Sequence, residues 1–212
     1  KPGEPAPPAA PAIPVAPGSA RNQRSTVDHM IQGIDWAFAT NGKTGHPLAG
    51  HIDTAHVAVA GQSCGGGLAI NAAADKRVTA LGIFNSGTRL TNPQPNAQGV
   101  MPDLNDAKKR LDAIHSPVLI LTGEESLDIA YGGGKDTFEY VKGQPIFYAW
   151  EDKLAHIGTY GAKNGGSLGR IGAAWFAWQL KGDKNAAKMF TGADCILCKE
   201  PTWHVQTKGM GK

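Results

Sequence analysis

Five residues constrain this chain more than any others: Gly61, Gln62, Ser63, Cys64 and Gly65. They follow the run His56-Val57-Ala58-Val59-Ala60, which reads as a strand. They precede an Ala/Leu/Ile pattern from Leu68 to Ala74, which reads as a helix. A strand that turns at once into a helix over Gly-x-Ser-x-Gly lifts the serine hydroxyl off the sheet edge on a strained turn. The glycines two before and two after the serine are expected because strand and helix nearly touch there. Ser63 then stands at a helix N-terminus, where unpaired amides and the dipole favour a developing negative charge. Ser63 is therefore the candidate nucleophile, and the backbone N–H of Cys64 the candidate oxyanion donor. A chain with 28 glycines produces such pentapeptides by chance, so the flanking strand and helix carry the argument. The competing reading is a Gly-rich turn that only packs a helix on a sheet, or holds a phosphate.

A serine nucleophile needs a base and an acid. Pro117-Val118-Leu119-Ile120-Leu121-Thr122-Gly123 reads as a buried strand closed by glycine, followed by Glu124, Glu125 and Asp128. Pro145-Ile146-Phe147-Tyr148-Ala149-Trp150 reads as the next strand, followed by a loop holding His156. His156 is the candidate base. Asp128 is the preferred acid, because a residue some way into its loop can fold back toward the histidine loop. Glu125 is the alternative. The other histidines, His29, His46, His51, His56, His115 and His204, read as surface or capping residues. No pair of them has the i, i+4 spacing of a helical zinc site with a glutamate between, so neither a metal nor a cofactor is expected.

The rest of the pattern alternates strand and helix. Residues 25–40 read as an amphipathic helix with Ser25 as N-cap and Val27, Met30, Ile31, Ile34 and Phe38 as its apolar stripe. Residues 78–84 read as a buried strand; residues 103–115, 135–142 and 168–180 read as helices. Trp175 and Trp178 share a face of the last one, as core residues. The loop over residues 88–102 is long enough to help wall a substrate site. The expected fold is α/β, a mostly parallel sheet with helices on both faces. Ser63, Asn85, Asp128 and His156 all fall at or just past carboxyl ends of strands, where such folds gather their active groups. Gln62, Asn85, Tyr131 and Trp150 are the candidate substrate-binding residues, with core packing as the competing reading of Tyr131 and Trp150. Three stretches are expected: a Pro/Ala-rich irregular segment over 1–20, one domain over 21–205, and a tail over 206–212.

Composition narrows the partners. The net charge of +3 is spread over interspersed positive and negative residues, with no basic run interleaved with aromatics, which argues against nucleic acid. The longest apolar runs are strand-sized, well short of the ~20 residues of a membrane-spanning helix. Cys195 and Cys198 form a C-x-x-C pair in a polar segment, read as a local disulfide that suits a secreted or periplasmic protein. Cys64, beside the candidate nucleophile, is expected to be buried.

The Gly61–Gly65 turn, the Asp128 loop, the His156 loop with Gly158-Thr159-Tyr160, and the run from Trp175 to Asp183 resemble the α/β-hydrolase superfamily. They are most similar to secreted, dienelactone-hydrolase-like or lipase-like esterases, over about residues 20–205. The resemblance implies esterase-type acyl transfer through Ser63, His156 and Asp128 on a small-molecule or polymeric ester. The family carries several strands before the serine strand, and an early glycine-rich loop that supplies a second oxyanion donor. Here only 55 residues precede His56. Three explanations fit: the C-terminal part of a longer enzyme, a minimal hydrolase, or a hydrolase-derived chain without catalysis. The first is preferred, because strand 57–60 would otherwise present an unpaired edge. It implies a separate N-terminal fragment as a partner, to which Cys64 could be disulfide-linked.

Overall fold

The computed structural model describes residues 25–95 and 101–210. Among the described residues five strands form one sheet: β1 (Val57–Gln62), β2 (Val78–Phe84), β3 (Val118–Gly123), β4 (Ile146–Glu151) and β5 (Trp203–Lys208). They lie in the order β1-β2-β3-β4-β5. The first four pair in parallel, and β5 runs antiparallel to β4. The helices are α1 (Val27–Asn41), α2 (Cys64–Ala72), α3 (Leu104–Asp112), α4 (Tyr131–Tyr140), α5 (Gly166–Lys181) and the single turn α6 (Lys184–Ala187).

Topology decides which helix covers which face. Each parallel crossover steps one strand over in the same direction. Right-handed crossovers then place all the connecting helices on one face. Accordingly Ile70 of α2, Leu111 of α3 and Phe138 of α4 share a core with Leu81, Ile83, Ile120 and Tyr148, and Ile34 of α1 joins them. The opposite face carries α5, whose Leu168, Ile171 and Trp175 pack with Leu119, Leu121, Phe147 and Phe190. Strand β3 is buried along its whole length, and alternate residues feed the two cores. The expected α/β class with helices on both faces is what the structure has.

Local expectations differ in four places. Helix α1 is capped by Thr26 rather than Ser25, and the Thr26 N–H donates to His29 Nδ1 at 3.0 Å. Helix α4 begins at Tyr131, not 135, so it takes in three glycines that read as loop. Packing overrides their poor helix propensity: a Cβ on Gly134 would lie 2.7 Å from Thr122 Cγ2. The boundary at 205 and the tail from 206 are wrong, because both fall inside β5. Trp203 is buried in the core and Val205 packs against it, so this short polar strand is held by one face. Cys64 is exposed rather than buried, because it is the first residue of α2 at the open end of the sheet.

Cys195 and Cys198 are disulfide-bonded, and Cys195 lies in the second core. The expectations for segment 1–20, and for 96–100 of the long loop, lie outside the described residues.

Candidate functional site

The turn after β1 builds the first part of the site. Ser63 sits at φ 52° and ψ −121°, a backbone region that costs a non-glycine residue on the order of 1–3 kcal/mol. Surrounding bonds hold it there. Its N–H donates to Phe84 O at 3.1 Å, and its carbonyl accepts from Gly66 N–H at 3.0 Å and from Ser86 Oγ at 2.7 Å. Among the described residues, the backbone N–H groups of Cys64 and Gly65 find no acceptor. Among the described residues they are free donors at the start of α2.

The two glycines of the pentapeptide are not equivalent. A Cβ on Gly61 would lie 2.1 Å from the Gly65 carbonyl, so strand and helix do nearly touch there. A Cβ on Gly65 would meet nothing within 4 Å, which corrects the expectation for that position. The second tight position is Gly66, where a Cβ would lie 2.3 Å from the Ser86 Cβ.

Asp128 lies in the turn after β3, with its side chain fully buried. Its Oδ2 accepts from Gly123 N–H at 2.7 Å and from Asn85 Nδ2 at 2.8 Å. Its Oδ1 accepts from Ala130 N–H at 2.9 Å and lies 2.7 Å from His156 Nδ1. Burial pushes the Asp128 carboxyl up; the bonds from Gly123, Ala130, His156 and Asn85 more than offset this and hold it below its ordinary value. It is therefore an anion at neutral pH. Of the alternatives, Glu125 is exposed, while Glu124 accepts from Ser126 Oγ and Lys153 N–H.

His156 follows β4. Its Nε2 lies 2.9 Å from Ser63 Oγ. Because the ionised Asp128 can only accept, Nδ1 carries the proton, Nε2 is the acceptor and Ser63 donates to it. The histidine loop is tied down twice: its N–H donates to Leu127 O at 3.3 Å, and its carbonyl accepts from Gln62 Nε2 at 3.1 Å. The structure thus brings Ser63, His156 and Asp128 into one hydrogen-bonded chain. Such a chain can move a proton from hydroxyl to imidazole and stabilise the imidazolium that results.

The four substrate-binding candidates fare differently. Asn85 is fully buried with its amide spent on Asp128 and Tyr160, so it cannot reach a substrate. Gln62 commits its amide nitrogen to the histidine loop. Tyr131 packs edge-on against Trp150 at 5.8 Å, and Trp150 stacks on His204 at 5.1 Å. That pair belongs to an aromatic cluster flanking β4.

Two contributors were not singled out from sequence. Ser86 holds the Ser63 carbonyl, and Tyr160 donates its hydroxyl to Asn85 Oδ1 at 2.6 Å. Burial of that hydroxyl and the charge of Asp128 push its pKa up, so it stays a protonated donor. Tyr160 stands four residues after His156 on one loop, the one signal that could have pointed to it.

Two hollows border β1. One of about 340 Å³ is lined by Gln62, Phe84, Tyr160, Leu168 and Phe176 among others. One of about 400 Å³ lies toward α1, beside Met30, Ile34, Phe38 and Val57. Among the described residues no cluster of histidine, cysteine and acidic side chains could hold a metal ion, and no helix is long and apolar enough to cross a membrane. No protein-family model and no curated protein matches the chain.

Proposed function

We propose that this chain is an α/β-hydrolase-type serine esterase, cleaving carboxylic esters through a Ser63–His156–Asp128 triad. The observation that carries the reading is the unbroken bonding from Ser63 Oγ through His156 to Asp128, with Ser63 held in a strained turn at a helix N-terminus. In the first half-reaction Ser63 Oγ attacks the ester carbonyl while His156 Nε2 takes its proton. The oxyanion is met by the Cys64 N–H and the N-terminal end of α2. The C–O bond to the alcohol breaks, the alcohol leaves with the proton from His156, and Ser63 is acylated. Water then attacks the acyl-enzyme with His156 again as base, and the carboxylic acid is released. Gln62, the neighbour of Ser63, borders an apolar hollow of a size for a hydrocarbon or aryl group, which Ser63 and His156 do not themselves line. The Cys195–Cys198 disulfide supports an exported enzyme.

The test is a fluorophosphonate probe with peptide mapping, alongside hydrolysis of p-nitrophenyl acetate. The expected adduct is on Ser63. Ser63→Ala should lower kcat by about 10⁴-fold or more without unfolding the chain. Ester turnover that survives Ser63→Ala would overturn the assignment.

A second reading has its own observation. Among the described residues β1 pairs with β2 alone, and both hollows lie against β1. In that reading the hydrolase site works only when a further polypeptide segment covers β1. A folded chain that takes no probe until a second polypeptide is added would favour it.

A further inference from the structure

We propose that Asn85 and Tyr160 are positioning residues of this site: Tyr160 orients the Asn85 amide, and Asn85 turns Asp128 so that one oxygen faces His156. The inference rests on the serine-hydrolase reading above and deepens it.

The chain of bonds has only one sense. An ionised carboxylate accepts and never donates, so Asn85 must present its NH₂ to Asp128. Its carbonyl then faces Tyr160, and a carbonyl only accepts, so the Tyr160 hydroxyl must donate. Each link fixes the next. Without the Tyr160 hydroxyl the Asn85 carbonyl loses its donor, and the amide is held in place from the Asp128 side alone. With the amide reversed, two oxygens would face each other across 2.8 Å.

Asn85 also divides the load on Asp128. Oδ2 takes the bonds from Gly123 and Asn85, while Oδ1 takes those from Ala130 and His156. The pair on Oδ2 stops the carboxylate from rotating away from the imidazole. The backbone of Asn85 is itself unusual: a fully buried residue at φ 41°, pinned by its N–H to Leu121 O at 2.7 Å. A strained, buried, polar residue whose side chain points at the carboxylate is better explained by the site than by packing.

Tyr160 closes the circuit. It belongs to the same loop as His156, and Gly158 between them lies at φ 58°. A Cβ on Gly158 would lie 2.6 Å from both Tyr160 Cε2 and Leu168 Cδ1. The loop therefore folds Tyr160 back onto Asn85. His156 reaches Asp128 directly, and its loop reaches Asp128 again through Tyr160 and Asn85. Tyr148 on β4 is within electrostatic reach of Asp128, and also of Tyr131 and Glu125 after β3. Both tyrosines have raised pKa values and stay neutral.

The experiment compares wild type with Tyr160→Phe, Asn85→Gly and the double variant. Glycine accommodates the positive φ, so the loss of the amide is read without added strain. The first readout is the His156 Nδ1–H resonance across a pH titration, which needs no turnover. The second is kcat, KM and the acid limb of the rate profile on p-nitrophenyl acetate. We expect the resonance to move in Tyr160→Phe. We expect kcat to fall by about tenfold in Tyr160→Phe, and further in Asn85→Gly, with KM within about twofold. The acid limb should move to lower pH, because a carboxylate turned away from the imidazole stabilises the imidazolium less. The double variant should be no worse than Asn85→Gly, because Tyr160 acts through Asn85. An unmoved resonance in Tyr160→Phe, or additive losses in the double variant, would overturn the proposal. If Ser63 takes no probe, the esterase reading fails, yet the resonance still decides whether Asn85 and Tyr160 set the imidazole–carboxylate pair.

Discussion

A Cβ on Gly61 would fall 2.1 Å from the carbonyl of Gly65, whereas a Cβ on Gly65 itself would meet no atom within 4 Å. The two flanking glycines of one motif therefore answer to different causes. Gly61→Ala must push the start of α2 off β1 and should destabilise by about 3 kcal/mol or more. Gly65→Ala should be neutral or stabilise by up to ~1 kcal/mol, because alanine favours the helix. Urea denaturation of the two variants checks this. Equal losses would contradict the steric account.

Asp128 should behave differently above and below the carboxylate range. Its pKa is held down in the folded chain, so its bonds contribute stability that is fully present above the unfolded value of ~4 and is lost as pH falls through the folded value. Asp128→Asn should cost roughly 2 kcal/mol at pH 7, and the gap should narrow only below pH ~4. On the proposed esterase reading, the same variant should lower ester turnover by about 10⁴-fold, because Asn presents the wrong partner to Nδ1–H. Denaturation curves from pH 7 to pH 3 test the first part, and kcat the second.

Arg77 joins the start of β2 to α1, with Nη2 at 2.6 Å from Asp75 and Nη1 at 2.6 Å from Asp35. The hydrogen bond from Arg77 holds the Asp75 carboxyl at about 2. Asp75→Asn should therefore destabilise by about 1 kcal/mol near neutrality, after allowing for solvent screening. The difference should fade as pH falls from about 4 toward 2. A pH-independent difference would point to lost packing instead.

The Cys195–Cys198 bridge closes a very short loop, so its effect on the unfolded chain is modest. Cys198→Ser should lower stability by about 2 kcal/mol. Dithiothreitol should lower the Tm of the wild type by a similar equivalent and leave Cys198→Ser unchanged. An equal response in both proteins would show that the bridge is not what the reductant acts on.

The positions of Ser63, His156 and Asp128 were legible because each hangs from the end of an apolar strand, and strand ends are what hydrophobic runs mark best. Gly65 was misjudged because the need for a missing side chain is set by what lies opposite, and Ser86 opposite Gly66 is distant in sequence. Asn85 was placed at the correct edge, but its burial was not legible, since burial of a polar side chain is a property of the assembled loops. The three glycines in α4 and the polar strand β5 went unread for one reason. Local propensity spoke against both, and contacts from other elements overrode it. Tyr160 carries its hydroxyl to a residue 75 positions away, which no local pattern encodes.

The sheet supports its site unevenly. Ser63 leaves β1, which has one strand neighbour among the described residues, while Asp128 and His156 follow β3 and β4, each flanked on both sides. Opening of β1 and α2 together would carry the hydroxyl away from an imidazole–carboxylate pair that stays in place. The free energy of that sub-global opening, not of complete unfolding, then sets the concentration of denaturant at which the hydroxyl is lost from the site. Amide exchange should be faster in Ala58 and Ala60 than in Leu119 and Leu121, and probe reactivity should fade while most of the sheet is still protected. The proposed site would come apart before the fold does.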